Sequence, residues 1–83
     1  VTQDTHFFDG SVFENIAFGK RGATREEVIE AAKKAHAHDF ITGKEQGYDT
    51  LMGEGATTFS GGEKQKLALA RAILRDPSIL ILD

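Results

Sequence analysis

Ser60-Gly61-Gly62 stands directly before a helical pattern, and Ser60 with Glu63 has the Ser-x-x-Glu spacing of a capping box. A glycine in a helix interior costs roughly 0.8–1.0 kcal/mol relative to alanine, less at an end, so two in one first turn ask for a reason. Close approach is one. The N–H groups of a first turn have no acceptor inside the helix, and the helix dipole adds partial positive charge there. Without Cβ atoms in the way, those groups and the Ser60 hydroxyl can cradle a phosphate. The bland alternative is an ordinary N-cap behind a flexible loop, which the Ser-Gly-Gly triplet alone does not exclude. Lys64 lies one turn further on and stays open as an anion contact. The triplet is not joined by a second phosphate site. No Gly-x-x-x-x-Gly-Lys-Ser/Thr loop occurs, and neither Gly19-Lys20 nor Gly43-Lys44 has the preceding glycine. His36 and His38 are two residues apart, which does not put them on one helix face and argues against a shared metal.

Three capping boxes position these groups. Ser11 with Glu14 predicts a short helix from Val12 to about Phe18, ended by Gly19. Thr24 with Glu27 predicts a second from Arg25 to about Ala37. Val28, Ile29, Ala31, Ala32 and Ala35 share one of its faces and Glu26, Glu27, Glu30, Lys33 and Lys34 the other, with Glu30 and Lys34 at ion-pair spacing. Asp39 to Thr42 reads as one more turn of helix, and Gly43, Gly47 and Asp49 mark a loop. The stretch 53–62 is rich in glycine and reads as an ordered loop or hinge. Ser60 with Glu63 predicts the third helix, Gly61 to Arg75. It is apolar on most sides, with Lys64, Arg71 and Arg75 on a narrow stripe read as solvated for the two arginines. Asp76-Pro77 ends it. Ser78 to Leu82 then reads as a strand buried on both faces of a parallel sheet.

The chain has 83 residues, 40% hydrophobic and 28% charged, which suits one small folded unit rather than a disordered one. It has no cysteine, so disulfides, thiolate metal sites and cysteine nucleophiles are excluded. The longest apolar run, Ile79–Leu82, is far too short to span a membrane. A formal net charge of −3 gives no general reason to expect a nucleic-acid partner. Charge is uneven: residues 1–59 carry six Lys/Arg against ten Asp/Glu, and residues 60–83 carry four against three. With no initiator Met and an apolar strand at its end, the chain reads as a piece of something larger. On that reading the strand at residues 79–82 lacks sheet neighbours, and is expected to fray or to mediate self-association.

The stretch Phe59-Ser60-Gly61-Gly62-Glu63, the helix Lys64 to Ala72 and the strand Ile79-Leu80-Ile81-Leu82-Asp83 together resemble the signature motif, signature helix and Walker B strand of ABC-transporter ATP-binding domains. Val1-Thr2-Gln3-Asp4, Phe7-Phe8 and Glu14-Asn15-Ile16-Ala17-Phe18-Gly19 resemble the Q-loop and the segment after it in exporter-type members. Gly47-Tyr48-Asp49-Thr50 and Gly53-Glu54 resemble the stretch before the signature. The motifs run in family order through the whole chain.

The resemblance implies a mainly α chain, the helical-subdomain part of an α/β P-loop NTPase ending in one buried β-strand. Residues 1–19 would be the Q-loop segment, 20–59 the helical subdomain and 60–83 the signature helix and Walker B strand. Gln3 would reach the Mg²⁺ and attacking-water region of the catalytic site. Ser60, Gly61, Gly62 and Glu63 would face the γ-phosphate of ATP held by the opposite subunit of a head-to-tail dimer. Asp83 would hold Mg²⁺ through water. Phe7, Phe8 and Glu54 would lie near the transmembrane partner's coupling helices. The parent would couple ATP to export from the cytoplasmic face of a membrane. Phe59 and Glu63 depart from the commoner Leu and Gln. The residue after Asp83 would be the catalytic glutamate, and no phosphate loop is present, so the 83 residues alone are expected to be inactive. Two alternatives stay open, a non-enzymatic helical module that binds a protein, and a family member acting outside transport.

Overall fold

The computed structural model describes residues 6–53 and 59–79, and all three capping boxes are formed in it. Ser11 Oγ accepts the Glu14 N–H at 3.0 Å while the Glu14 carboxylate accepts the Ser11 N–H at 2.8 Å, opening α1, Val12–Ala17. Thr24 and Glu27 exchange the same two bonds at 3.1 and 2.9 Å and open α2, Arg25–Lys34. The Glu27 carboxylate also takes an ion pair from Lys20, which with the Thr24 N–H holds it below its usual range. Glu27 thus finds the basic partner on this face, and Glu30–Lys34 is not an ion pair among the described residues. A short α3, His38–Thr42, and a 3₁₀ turn, Gly47–Asp49, lead toward α4, Gly61–Arg75.

α2 is shorter than its apolar pattern predicts. His36 takes a left-handed conformation, φ 61°, with its N–H on the Lys33 carbonyl at 3.1 Å. The Ala37 N–H reaches back to the Ala32 carbonyl at 2.8 Å. This is a Schellman ending built without glycine, so no glycine marks it in the sequence. Its small face is buried as expected: Val28, Ala31, Ala32 and Ala35 are enclosed.

α4 packs on both α1 and α2 and is the centre of the fold. Leu67, Ala70, Ile73 and Leu74 meet Val12 and Ile16 of α1 and the alanine face of α2 in one core, which also takes Ile41, Tyr48, Met52 and Phe59. The chain is thus mainly α. A two-residue antiparallel ladder that the sequence did not announce pairs β1, Gly10–Ser11, with β2, Leu51–Met52. The Val12 N–H extends it by donating to the Thr50 carbonyl at 2.8 Å.

At the far end the strand expected over Ser78–Leu82 does not begin at Ser78. Ser78 N–H and Oγ–H both donate to one oxygen of Asp76, at 3.1 and 2.6 Å, and the Ile79 N–H returns to the Asp76 carbonyl. Asp-Pro-Ser closes a turn, with the aspartate side chain as acceptor, and these bonds hold its carboxyl below the usual range. The rest of that strand lies outside the described residues. No helix among the described residues is long and apolar enough to cross a membrane.

Candidate functional site

The start of α4 is an open, donor-rich helix end. Ser60 Oγ accepts the Glu63 N–H at 3.1 Å, which leaves its hydroxyl proton free to donate elsewhere. The Glu63 carboxylate turns back to accept the Ser60 N–H at 2.9 Å. Main chain and side chain of Glu63 are both engaged. Gly61 and Gly62 occupy the first two helical positions, whose N–H groups have no acceptor inside the helix. Both residues are exposed, and a Cβ added at either meets nothing within 4 Å. Nothing in the described chain requires glycine at these positions. What their smallness provides is room in front of two unpaired helix donors, which suits an anion.

Phe59 anchors this start from behind. It is buried, in a T-shaped contact with Phe40 at 6.2 Å between centroids, with the Lys44 Nζ over its ring at 4.9 Å from the centroid. The replacement of the commoner leucine by Phe59 thus keeps an apolar plug. Lys64 is exposed, one helical turn past the Ser60 cap.

A second cluster forms around residues 6–19. Phe7 is half-buried and packs against the core, whereas Phe8 is 40% exposed. Phe8 meets Phe18, itself 73% exposed, in a T-shaped contact at 5.5 Å. The two rings make an exposed aromatic face at the end of α1. Phe18 carried no signal as a contact residue in the sequence, because it falls where the α1 pattern ends.

Asn15 and Arg71 hold this cluster, and neither stood out as a site residue. Asn15 is wholly buried; its Oδ1 accepts the Phe8 N–H at 2.9 Å, and its Nδ2 donates to the Phe8 and Ser11 carbonyls at 3.1 and 3.0 Å. Arg71 is not the solvated side chain its stripe suggests. It is half-buried, donates to the His6 carbonyl at 2.9 Å, and lies 4.9 Å from the centroid of the Phe7 ring. Gly19 proves to be needed for packing rather than for ending a helix: a Cβ there would stand 2.3 Å from the Arg71 carbonyl oxygen.

The remaining histidine pair does not form a metal centre among the described residues. His38 Nδ1 shares a 2.7 Å hydrogen bond with the Tyr48 hydroxyl. Burial pushes the Tyr48 phenol up to about 12, against the opposing pull of Arg25. Gln3, Glu54 and Asp83 lie outside the described residues, so the helix start and the aromatic face are the parts of the expected site that have geometry here.

The comparisons agree on one family. A family model described as ABC transporter matches residues 1–83. The serine protease/ABC transporter B family protein tagA of Dictyostelium discoideum is 57% identical over all 83 residues, which cover 5% of that protein. A beta-(1-->2)glucan export ATP-binding/permease protein, NdvA of Bartonella bacilliformis, is 57% identical over the whole chain, which covers 14% of it. An ATP-dependent lipid A-core flippase of Syntrophus aciditrophicus is 52% identical over the same span, again 14% of its length. The chain spans a small part of each of these relatives. With a match along its entire length, at an identity above half in each of these relatives, this chain belongs to the ABC transporter family.

Proposed function

We propose that the chain is part of the ATP-binding domain of an ABC exporter and that it supplies the signature half of the nucleotide site. Membership in the family implies nucleotide binding. The observation that carries the finer reading is the open space before Gly61 and Gly62, at a helix start whose Ser60 hydroxyl still has a proton to donate. Those three residues would donate to the γ-phosphate of ATP bound by a second ATP-binding domain. Glu63 would serve by holding Ser60 and the first turn in place. Bound MgATP brings the phosphoryl group whose transfer to water releases the energy for transport. Gln3 would stand at the Mg²⁺ and water, and Asp83 would hold Mg²⁺ through water; both roles rest on motif position. Residues 1–19, 20–59 and 60–83 would be the Q-loop segment, the helical subdomain, and the signature helix with its Walker B strand.

Export is supported by the relatives, two of which are named as an export protein and a flippase. The chain would then work at the cytoplasmic face of a membrane, in a head-to-tail dimer docked on transmembrane domains. Its exposed Phe8–Phe18 face supports a coupling-helix contact, with Phe7 behind it in the core and Glu54 assigned there by motif position. The test is ATP-driven dimerisation of the complete ATP-binding domain carrying Gly62→Asp. The added carboxylate should abolish dimerisation by ATP while leaving the monomer folded, because a negative charge in a helix first turn does not harm the helix. Normal dimerisation in that variant would refute the phosphate contact.

A further inference from the structure

Arg71 ties two separate parts of the molecule to one residue of α4. Its guanidinium fixes the His6 carbonyl and covers the Phe7 ring, and its own carbonyl is the surface on which Gly19 closes. Both ends of the 6–19 segment therefore meet α4 at the same residue. From the other side Asn15 clamps the Phe8 main chain through both its N–H and its carbonyl. Residues 7 and 8 cannot shift along α4 without breaking one clamp or the other. Arg71 stands roughly 16 Å along the helix from Ser60, too far to touch anything bound at the helix start. Whatever it does there must pass through α4, a continuous hydrogen-bonded rod whose apolar face is locked in the core.

We propose that Arg71 is a positioning residue that locks the Phe7–Phe8 segment, and the aromatic Phe8–Phe18 face with it, to the helix whose start receives phosphate. A displacement of the aromatic face by a docked partner then moves the Ser60 end of α4, and the reverse. This consequence rests on the phosphate reading of Ser60-Gly61-Gly62. Arginine suits the task because its planar group can donate in plane to a carbonyl while lying against a ring, whereas an ammonium is a point charge without that plane.

The experiment uses the intact transporter in lipid, as wild type, Arg71→Met, Arg71→Lys and Gly62→Asp, and reads hydrogen exchange and ATP hydrolysis together. Arg71→Met should speed exchange at the Phe8 amide by roughly tenfold while α4 amides change by less than about twofold. It should lower kcat with KM for ATP unchanged, since Arg71 touches no nucleotide. Arg71→Lys should restore the Phe8 amide in part, through the carbonyl bond. A merely structural role would loosen α4 equally, and that result overturns the proposal. So does an unchanged Phe8 amide, which would mean Asn15 suffices, or a loosened Phe8 with kcat intact. Gly62→Asp separates the two readings: if it hydrolyses ATP normally, the phosphate reading has failed and the coupling falls with it. If it is inactive while Arg71→Met is fully active, only the role of Arg71 is wrong.

Discussion

Asn15 has no exposed surface, and all three hydrogen bonds of its amide go to main-chain atoms of Phe8 and Ser11. Replacing it with alanine leaves one main-chain donor and two main-chain acceptors without the amide, in a part-buried place. We expect Asn15→Ala to lower the unfolding free energy by roughly 2–3 kcal/mol, measured by urea denaturation. A change under about 0.5 kcal/mol would mean that water replaces the amide. Tyr48 gives a prediction in pH. Unfolded, its phenol ionises near 10.0; folded, burial raises it to about 12. The folded state keeps its proton longer, so this contribution is flat below pH 10, falls as pH rises above it, and is lost by about pH 12. In Tyr48→Phe that part of the alkaline loss should vanish, and an unchanged slope would contradict the buried phenol. Neither residue was legible as a device in the sequence. An uncharged amide and a lone tyrosine acquire their roles only from what the fold places around them.

The helices show the opposite. Each Ser/Thr-x-x-Glu spacing encodes both bonds of a cap within four residues, so local chemistry alone decides where α1, α2 and α4 begin. The end of α2 depends on a histidine in a left-handed conformation, and β1–β2 depends on residues about forty positions apart, so neither leaves a local pattern. The apparent waste in α4 is testable at this scale. Alanine at Gly61 and Gly62 meets no neighbour and suits a helix better, so each change should stabilise the 83-residue chain by about 0.4–1 kcal/mol. Thermal unfolding checks this. Loss of stability would show that the glycines serve the fold itself, and the open space before them would no longer point to an anion.

At the scale of the whole molecule, a central helix carries a donor-rich start at one end and is gripped by an aromatic face through Arg71 further along. The capped, open start of α4 was legible, because Ser60-x-x-Glu63 encodes the cap and the glycine pair the space before it; the phosphate contact there is the proposal that this geometry supports. The aromatic face was half legible: Phe7 and Phe8 stood out, but which of them is exposed depends on Asn15 and Arg71. The chain has no phosphate loop, and thus no lysine and amide cradle for the β- and γ-phosphates. Phosphate release by the 83 residues alone should equal the protein-free control. Turnover that requires Mg²⁺ and disappears with Asp83→Asn would contradict this.

The central claim is that the start of α4 completes a nucleotide site held by another copy. It is tested most directly by trapping ATP in dimers of the complete ATP-binding domain in which only one copy carries Gly62→Asp. In the proposed head-to-tail dimer two composite sites would form, and the substitution would stand in just one of them. The account predicts that labelled ATP is retained at a single site per mixed dimer, and that the ATP lost is the one bound by the unaltered copy. Retention at both sites, or loss of the ATP bound by the altered copy itself, would contradict it.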